Sequence, residues 1–106
     1  MKQSITCKVL KLLKEIPKGK VTTYKELAIA CNFKCYRAIG QILKRNPRPD
    51  LYPCYRVIKS DGRIGGYSGS DPKSIKRKIG LLKKDGIEIK NGKIDLNKYL
   101  FRFRRT

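Results

Sequence analysis

The sequence contains no histidine among its 106 residues. This absence excludes catalytic Ser-His and Cys-His pairs, zinc sites with histidine ligands and haem held by histidine. Long apolar runs are missing as well, and a membrane-spanning helix needs roughly 20 apolar residues. The segment Met1–Lys8 also lacks the apolar core of a secretory signal. We therefore expect a cytoplasmic protein that does not enter a membrane.

Acidic residues are scarce in this chain. Asp and Glu number 8 against 27 Lys and Arg, which leaves a formal net charge of +19 at pH 7. A charge of this size repels itself and raises the free-energy cost of a compact fold. A polyanion would relieve that cost, and nucleic acid is the usual polyanionic partner. The alternatives are a charge that serves solubility and a protein that binds a membrane surface.

The cysteines are few: Cys7, Cys31, Cys35 and Cys54. Without an export signal we expect reduced thiols, with a Cys31–Cys35 disulfide as the alternative. A zinc site built from cysteines alone needs two closely spaced pairs, and the sequence has one, so we predict no metal site. Cys7, Cys31 and Cys35 fall on or beside apolar helical faces, which predicts that each is a small buried side chain.

Apolar spacing predicts a single domain that is mainly α-helical with a small β component. A first helix is expected over 4–15. Thr22 or Thr23 would cap a second helix, because Glu26 lies three residues after Thr23 as in a capping box. A third helix is expected from about Lys34 to Lys44, before two prolines.

These helices, joined by a short turn, have the order of a helix-turn-helix, in which the third helix enters a groove of DNA. Asp61-Gly62 lies between two short apolar runs and predicts a hairpin, which would form a wing. The fold class expected is therefore a winged helix-turn-helix: a three-helix bundle, a wing hairpin and a further C-terminal helix. The polar residues expected on the outer face of the third helix are Lys34, Arg37, Gln41, Lys44 and Arg45.

The fourth helix is expected to begin at Asp71-Pro72 and to end near Lys84. Ile75, Ile79 and Leu82 would face the core. The basic residues expected on its outer face are Lys73, Lys76, Arg77, Lys78, Lys83 and Lys84. Beyond this helix, Asn91-Gly92 predicts a second hairpin. The alternating basic and apolar residues of 98–106 predict a strand or a loose arm on DNA.

The residues around Cys54 distinguish it from the other cysteines. Pro53-Cys54-Tyr55-Arg56-Val57 resembles the Pro-Cys-His-Arg-Val signature of the O6-alkylguanine-DNA alkyltransferases. The resemblance covers about residues 5–86, which correspond to the active-site domain of that family and leave 87–106 as a hairpin and a basic arm. Four more segments resemble the family in the same order and spacing: Ile16–Tyr24, Arg37–Gly40, Asn46-Pro47 and Gly65–Gly69.

The resemblance implies a monomeric repair protein that acts on double-stranded DNA containing O6-alkylguanine and needs no cofactor. Cys54 would take the alkyl group by in-line displacement, and the protein would be consumed. Asn46 would brace the turn that holds Cys54. Tyr24 would hydrogen-bond the extruded guanine; core packing is the alternative. The loop residues that would form the pocket for the guanine base are Tyr67, Ser68 and Gly69. The alternative for Ser68 is an ordinary loop hydroxyl with no role in binding.

The resemblance also implies how the third helix meets DNA. Arg37 would enter the duplex from the minor groove and fill the gap left by the flipped base, because a stacked base is out of reach of a thiolate. A simple phosphate contact is the alternative. Ala38 and Gly40 are small, which suits a close approach to a shallow groove, and the remaining contacts would come from Lys34, Gln41 and Lys44.

The chain departs from the family at Tyr55, which stands in place of the histidine that takes the thiol proton through a water. Tyrosine has a pKa near 10 and is a poor base at neutral pH. The acid that orients the histidine falls on Asp85. We hypothesise that Tyr55 and a water link Cys54 to Asp85, with the thiolate favoured by the surrounding positive charge. The reaction would then accelerate as the pH rises towards the pKa of the thiol.

Two other functions remain open. Alkyltransferase-like proteins bind alkylated DNA without transfer, recruit another pathway and carry another residue in place of the nucleophile. Cys54 favours transfer, whereas Tyr55 keeps the sensor alternative open. A plain winged-helix regulator is the third possibility, but it leaves the Pro53-Cys54 motif and the Tyr67-Ser68 loop unexplained.

Overall fold

The chain folds into α-helices and very short strands. The structure is a computed structural model that describes residues 5–32, 36–48, 50–65 and 72–103. Within these ranges the α-helices are α1 (Ile5–Leu13), α2 (Tyr24–Cys31), α3 (Tyr36–Lys44), α4 (Pro72–Lys84) and α5 (Leu96–Tyr99), with a 3₁₀ helix at Cys54–Arg56. The strands are β1 (Thr22–Thr23), β2 (Val57–Ile58), β3 (Ile89–Lys90) and β4 (Lys93–Ile94). The prediction of a mainly helical fold with a small β component is confirmed.

Helices α1, α2 and α3 pack on one another around the first of two apolar clusters. Leu13, Leu27 and Ile39 supply one fully buried side chain from each helix. The start of α2 is capped by Thr23, whose Oγ1 accepts a hydrogen bond from the Glu26 amide at 3.1 Å. Its end is formed by Asn32, which has a left-handed φ of 54°, a conformation that asparagine tolerates better than most residues. The capping signal read from the sequence is therefore confirmed.

The strand pairing brings together segments that are far apart in the sequence. β1 pairs with β2 in parallel, with Thr22 opposite Val57. Val21, just before β1, pairs with the C-terminal segment: its N–H donates to the Tyr99 carbonyl at 2.9 Å, and its carbonyl accepts from the Phe101 N–H at 2.7 Å. Phe103 is buried in the first apolar cluster. The C-terminal segment is therefore part of the fold up to Phe103, not a loose arm; residues 104–106 lie outside the described ranges.

The turn at Asp61-Gly62 differs from the predicted wing hairpin. The Gly62 N–H donates to the Lys59 carbonyl at 3.0 Å, and the Lys59 N–H donates to the Arg63 carbonyl at 2.9 Å. Before this turn β2 pairs with β1, and at the end of the turn Arg63 forms an isolated antiparallel bridge with Lys93. The apolar residues on either side of the turn are buried against other elements, so the described residues form a turn here and not a two-stranded ladder.

The second hairpin forms as predicted. β3 and β4 are antiparallel, with Lys90 opposite Lys93. Asn91 and Gly92 have φ values of 52° and 73°, which are the values that a two-residue type I′ turn requires. The short helix α5 was not predicted. It begins after Asp95, whose side chain accepts a hydrogen bond from the Asn97 amide at 3.0 Å.

Helix α4 begins at Pro72, as predicted, and Asp71 lies outside the described ranges. Leu82 is fully buried in the second apolar cluster, with Ile75 and Ile79 packed against it. Lys78 is fully buried too, so the prediction that it faces outward was wrong. Positions 75, 78, 79 and 82 lie on one face of a helix. Lys78 is therefore buried because of its position on this face, although lysine is polar.

Two smaller findings concern the cysteines and the membrane. Cys31 is a buried free thiol, as expected, whereas Cys7 is exposed, which contradicts its predicted burial; Cys35 lies outside the described ranges. Among the described residues no helix is long and apolar enough to cross a membrane.

Candidate active site around Cys54

Cys54 is held at the start of the 3₁₀ helix, directly after Pro53. Its side chain is a free thiol with an exposed fraction of 7%, and it belongs to the first apolar cluster. Burial raises the pKa of the thiol, because a thiolate loses hydration there. A hydrogen bond from Asn46 and the positive charge of Lys78 act in the opposite direction. The neighbours of Cys54 therefore decide how easily it ionises.

Asn46 lies just after α3 and ties the following loop together. Its Nδ2 donates to the Tyr52 carbonyl at 2.7 Å, and its Oδ1 accepts from the Arg48 N–H at 3.0 Å. The Tyr52 carbonyl also accepts from the Cys54 N–H at 2.7 Å. The Tyr52 carbonyl thus accepts hydrogen bonds from both Asn46 and the Cys54 backbone. Asn46 therefore contacts the turn that carries Cys54.

Tyr24 reaches the same region from the first turn of α2. Its ring is partly buried against the first apolar cluster. Its hydroxyl lies 3.7 Å from the position that a Cβ atom on Gly65 would occupy. Burial, and secondarily the charge of Cys54, raise the pKa of Tyr24. The hydroxyl therefore keeps its proton and can donate a hydrogen bond. The predicted pocket residues Tyr67, Ser68 and Gly69 lie outside the described ranges.

Lys78 is the residue of this site that the sequence reading assigned to the surface. It has an exposed fraction of 0%, and its Nζ donates to the carbonyls of Val57 and Ile64, each at 2.6 Å. Burial lowers its pKa from 10.5 to about 7, and the charge of Cys54 acts in the opposite direction. The sequence did contain a signal for this burial, because Lys78 falls on the apolar face of the predicted fourth helix.

Tyr55, Arg56 and Asp85 form a second polar group beside Cys54. The Tyr55 hydroxyl donates to Asp85 Oδ2 at 2.5 Å, and Arg56 Nε lies 3.1 Å from that hydroxyl and 3.3 Å from Oδ2. Arg56 Nη1 donates to the Ile16 carbonyl at 2.8 Å. The pKa of Tyr55 is raised, first by burial and then by the bond to Asp85. Tyr55 is therefore a donor to Asp85 and an unsuitable base.

The outer face of α3 is basic and contains two small residues. Arg37, Gln41 and Lys44 are exposed, Ala38 and Gly40 are partly exposed, and Lys34 lies outside the described ranges. Among the described residues, no heavy atom lies within 4 Å of the position that a Cβ atom on Gly40 would occupy. Packing against this part of the chain therefore does not require glycine at this position. On α4 the exposed basic residues are Lys73, Lys76, Arg77, Lys83 and Lys84.

Comparisons with known proteins find relatives whose names include a methyltransferase. Residues 4–87 match the sequence model of the family described as "6-O-methylguanine DNA methyltransferase, DNA binding domain". A bifunctional methyltransferase/endonuclease of Picrophilus torridus is 52% identical over 91 residues, which cover 85% of this chain and 29% of that protein. The methylated-DNA--protein-cysteine methyltransferase of Rattus norvegicus is 52% identical over 68 residues, which cover 62% of this chain and 32% of that protein. The chain thus spans about a third of the length of these curated relatives.

A solved structure matches nearly the whole chain. It is S. pombe Atl1 in complex with damaged DNA containing O6-carboxymethylguanine, with a TM-score of 0.83 and 29% identity. The match covers 96% of this chain and 99% of that one.

Proposed function

The chain belongs to the 6-O-methylguanine DNA methyltransferase family, and from this membership we propose that it repairs DNA by moving an alkyl group from O6 of guanine to Cys54. The observation that carries the proposal is the free and largely buried thiol of Cys54, whose pKa the charge of Lys78 acts to lower. A thiolate is the reactive form of cysteine, and positive surroundings favour it. The site thus combines a nucleophile with a charge that stabilises its ionised form.

Transfer would be a direct displacement at carbon. The thiolate lone pair forms the S–C bond, the C–O6 bond breaks, and its electrons remain on the guanine ring, which takes up one proton. The product is a thioether, so each molecule acts once. Tyr24 would donate a hydrogen bond to the guanine base, which the raised pKa of its hydroxyl supports. Asn46 would hold the turn that carries Cys54, which its hydrogen bond to the Tyr52 carbonyl supports.

The DNA-binding side of the proposal rests on α2 and α3, which would act as a helix-turn-helix within one alkyltransferase domain. The exposed side chains of Arg37, Gln41 and Lys44 would contact double-stranded DNA. Arg37 would occupy the space left by the flipped base, since extrusion costs a few kcal/mol that an inserted side chain partly recovers. The small residues Ala38 and Gly40 would let α3 approach the groove closely. The net charge of +19 supplies non-specific attraction.

Intact-mass spectrometry tests the transfer. The protein is incubated with a duplex containing one O6-methylguanine and, separately, with the matched guanine duplex. We expect a gain of about 14 Da, the mass of a methyl group replacing a proton, only with the modified duplex and only on the peptide that contains Cys54. An unchanged mass after complete binding of the modified duplex would refute transfer.

Two serine variants make this test specific. Cys54→Ser should abolish the mass gain and keep the affinity for the modified duplex, because the hydroxyl replaces only the nucleophile. Cys7→Ser is the matched control: Cys7 is an exposed thiol outside the site, and this variant should be methylated as fully as the wild type. Loss of transfer in Cys7→Ser would contradict the assignment.

A second candidate function is a sensor that binds alkylated DNA and transfers nothing. It is favoured by the likeness to S. pombe Atl1, whose crystallised complex contains O6-carboxymethylguanine DNA, and by Tyr55 in place of the family histidine. Tight, selective binding of the modified duplex with no mass gain would support the sensor. Cys54 itself favours transfer.

A further inference from the structure

The C-terminal segment brings an arginine and an asparagine beside the start of α2. Residues 96–102 lie beyond the part of the chain that matches the family model, which ends at residue 87. We propose that Arg102 and Asn97 bind a backbone phosphate of duplex DNA, in a groove between the start of α2 and this segment. The inference rests on the proposed function, because it extends the DNA-binding surface of that proposal.

The groove has a volume of about 470 Å³. The residues that line it come from the start of α2, from the turn after β2 and from the C-terminal segment: Thr23, Lys25, Ser60, Asn97 and Arg102. All of them except Thr23 are exposed. A ligand as large as a DNA backbone can therefore reach these side chains from solvent.

The groove adjoins the residue proposed to contact the flipped base. Tyr24 lies between Thr23 and Lys25 in the sequence, and both of these neighbours line the groove. Duplex DNA carries one negative charge per roughly 1.7 Å of its helix axis. A duplex that places a base at Tyr24 would therefore bring a flanking phosphate close to this groove.

The charges that line the groove fit a single phosphodiester. Lys25 and Arg102 are cations, and Glu26 is the one carboxylate among the described lining residues. The Glu26 side chain is 17% exposed and lies 4.0 Å from Arg102 Nε, whereas the Arg102 side chain is 76% exposed. One positive charge is left in excess, and a phosphodiester carries one negative charge. Arginine suits this ligand because its planar guanidinium can donate two parallel hydrogen bonds to phosphate.

Neutral hydrogen-bond donors line the same groove. Thr23 Oγ1 accepts from the Glu26 amide at 3.1 Å, and a hydroxyl also has one hydrogen that it can donate. Ser60 adds a second hydroxyl and Asn97 a side-chain amide. Hydroxyl and amide groups join arginine and lysine in most protein contacts with phosphate oxygens. The groove therefore offers the donors that a phosphate accepts.

The backbone is fixed on both sides of Arg102. The Phe101 N–H donates to the Val21 carbonyl at 2.7 Å, and Phe103 is buried in the first apolar cluster. The rings of Phe101 and Phe103 lie edge to face, with their centroids 5.2 Å apart. Arg102 is therefore held in place before DNA binds, which lowers the entropy cost of the contact.

The salt dependence of DNA binding tests the phosphate contact. Fluorescence anisotropy gives the affinity of the wild type and of Arg102→Gln for an unmodified duplex between about 50 and about 200 mM salt. We expect the slope of log affinity against log salt to become shallower by about 0.9, the contribution of one phosphate contact. Binding should weaken by the same factor for the modified and unmodified duplexes. An unchanged slope in Arg102→Gln would overturn the proposal.

The matched control is Lys90→Gln. Lys90 is an exposed cation that also lies beyond residue 87, and its Nζ is 3.1 Å from a Glu88 carboxylate oxygen, much as Arg102 lies beside Glu26. Lys90 is not among the residues that line this groove, so the salt slope of this variant should equal that of the wild type. An equal change in both variants would show that overall charge, and not the groove, causes the effect, and would also overturn the proposal.

A second pair of variants adds one negative charge inside and outside the groove. Asn97→Asp keeps the size of the side chain and places a carboxylate against the phosphate, so we expect the affinity for both duplexes to fall about fivefold. Asn91→Asp adds the same charge in the turn between β3 and β4, where aspartate tolerates the left-handed φ of 52°. Its affinity should stay within about twofold of the wild type. Equal affinities of the two variants would refute the assignment of Asn97.

These readouts do not depend on methyl transfer. A wild-type protein that binds neither duplex would refute the proposed function itself. Binding by the wild type together with an unchanged Arg102→Gln would refute only the contact made by the C-terminal segment.

Discussion

Helices α3 and α4 carry the same type of side chain in two different settings. On α3 the described basic residues Arg37 and Lys44 are exposed. On α4 most basic residues are exposed as well, but Lys78 is fully buried and donates to two backbone carbonyls. Lysine is almost never fully buried without such partners. The difference shows that the described basic side chains of α3 are all in solvent, whereas α4 also places one amine in the interior.

The turn after α4 extends this contrast. Asp85 has an 8% exposed side chain and accepts from Tyr55, while Arg56, 15% exposed, lies within ion-pair distance. This polar group joins α4 to the 3₁₀ helix, and through Arg56 to the Ile16 carbonyl. Tyr55 therefore ties the 3₁₀ helix to the turn after α4. The charge of Lys78, by contrast, acts to lower the pKa of Cys54.

The largest expected effect comes from removing the carboxylate of this polar group. Asp85→Ala leaves the partly buried guanidinium of Arg56 without its counter-charge, and we expect a loss of about 3 kcal/mol in the free energy of unfolding. Urea denaturation followed by circular dichroism measures it. Asp50→Ala is the matched control, because the Asp50–Arg48 pair is exposed and should matter far less. Equal losses would show that the buried group is no more important than a surface pair.

The next effect concerns the pH dependence of stability. The pKa of Lys78 falls to about 7 on folding, so between about pH 7 and its ordinary value the unfolded chain binds more protons than the folded one. Stability from this group therefore increases with pH and is lost as the pH falls through 7. We expect the unfolding free energy of the wild type, minus that of Lys78→Met, to rise from pH 7 to pH 9.

Urea denaturation at several pH values checks this prediction, and the slope should not exceed about 1.4 kcal/mol per pH unit for one proton. Cys54 acts with the opposite sign, because burial raises its pKa, and its effect begins about one unit below the ordinary thiol pKa near 8.5. Both proteins carry Cys54, so the difference between them largely removes this contribution. A pH-independent difference between the two proteins would mean that Lys78 keeps its ordinary titration.

Sequence reasoning predicted the helices well because apolar residues recur at helical spacing, as at Leu13 and Leu82. It predicted the second hairpin because Asn91 and Gly92 tolerate the positive φ values that the turn needs. It did not predict the parallel pairing of Thr22 with Val57, since a two-residue strand has no local pattern of its own.

The candidate site was less accessible to sequence reasoning. The choice of Cys54 as the candidate nucleophile depended on the resemblance to the family motif. The assignment of Asp85 as the acid depended on the same resemblance. Lys78 was placed on the surface because lysine usually lies there, although its spacing from Ile75 and Leu82 put it on the buried face. Only the three-dimensional structure shows the carbonyls that accept its hydrogen bonds.

A smaller effect is expected on DNA binding, and it compares an exposed arginine of α3 with one of α4. Arg37→Ala should lower the preference for an O6-methylguanine duplex over the matched guanine duplex by about tenfold, because the proposed insertion is lost. Arg77→Ala removes an exposed arginine from α4 and should weaken binding to both duplexes equally, by the loss of non-specific attraction. Fluorescence anisotropy at fixed salt measures both. If the two variants lose the same affinity for both duplexes, Arg37 is an ordinary phosphate contact.

The smallest expected effect comes from replacing one glycine on α3 and one on α4, which tests whether only the α3 surface contacts DNA. At Gly40 on α3 and Gly80 on α4, no atom of the described residues comes within 4 Å of the position that a Cβ atom would occupy. Each change to alanine should therefore stabilise its helix by up to about 1 kcal/mol, since glycine is a poor helix former. Only Gly40→Ala should weaken DNA binding, because its methyl group would stand between α3 and the groove. If Gly40→Ala binds DNA as tightly as Gly80→Ala, then α3 does not approach DNA through this face.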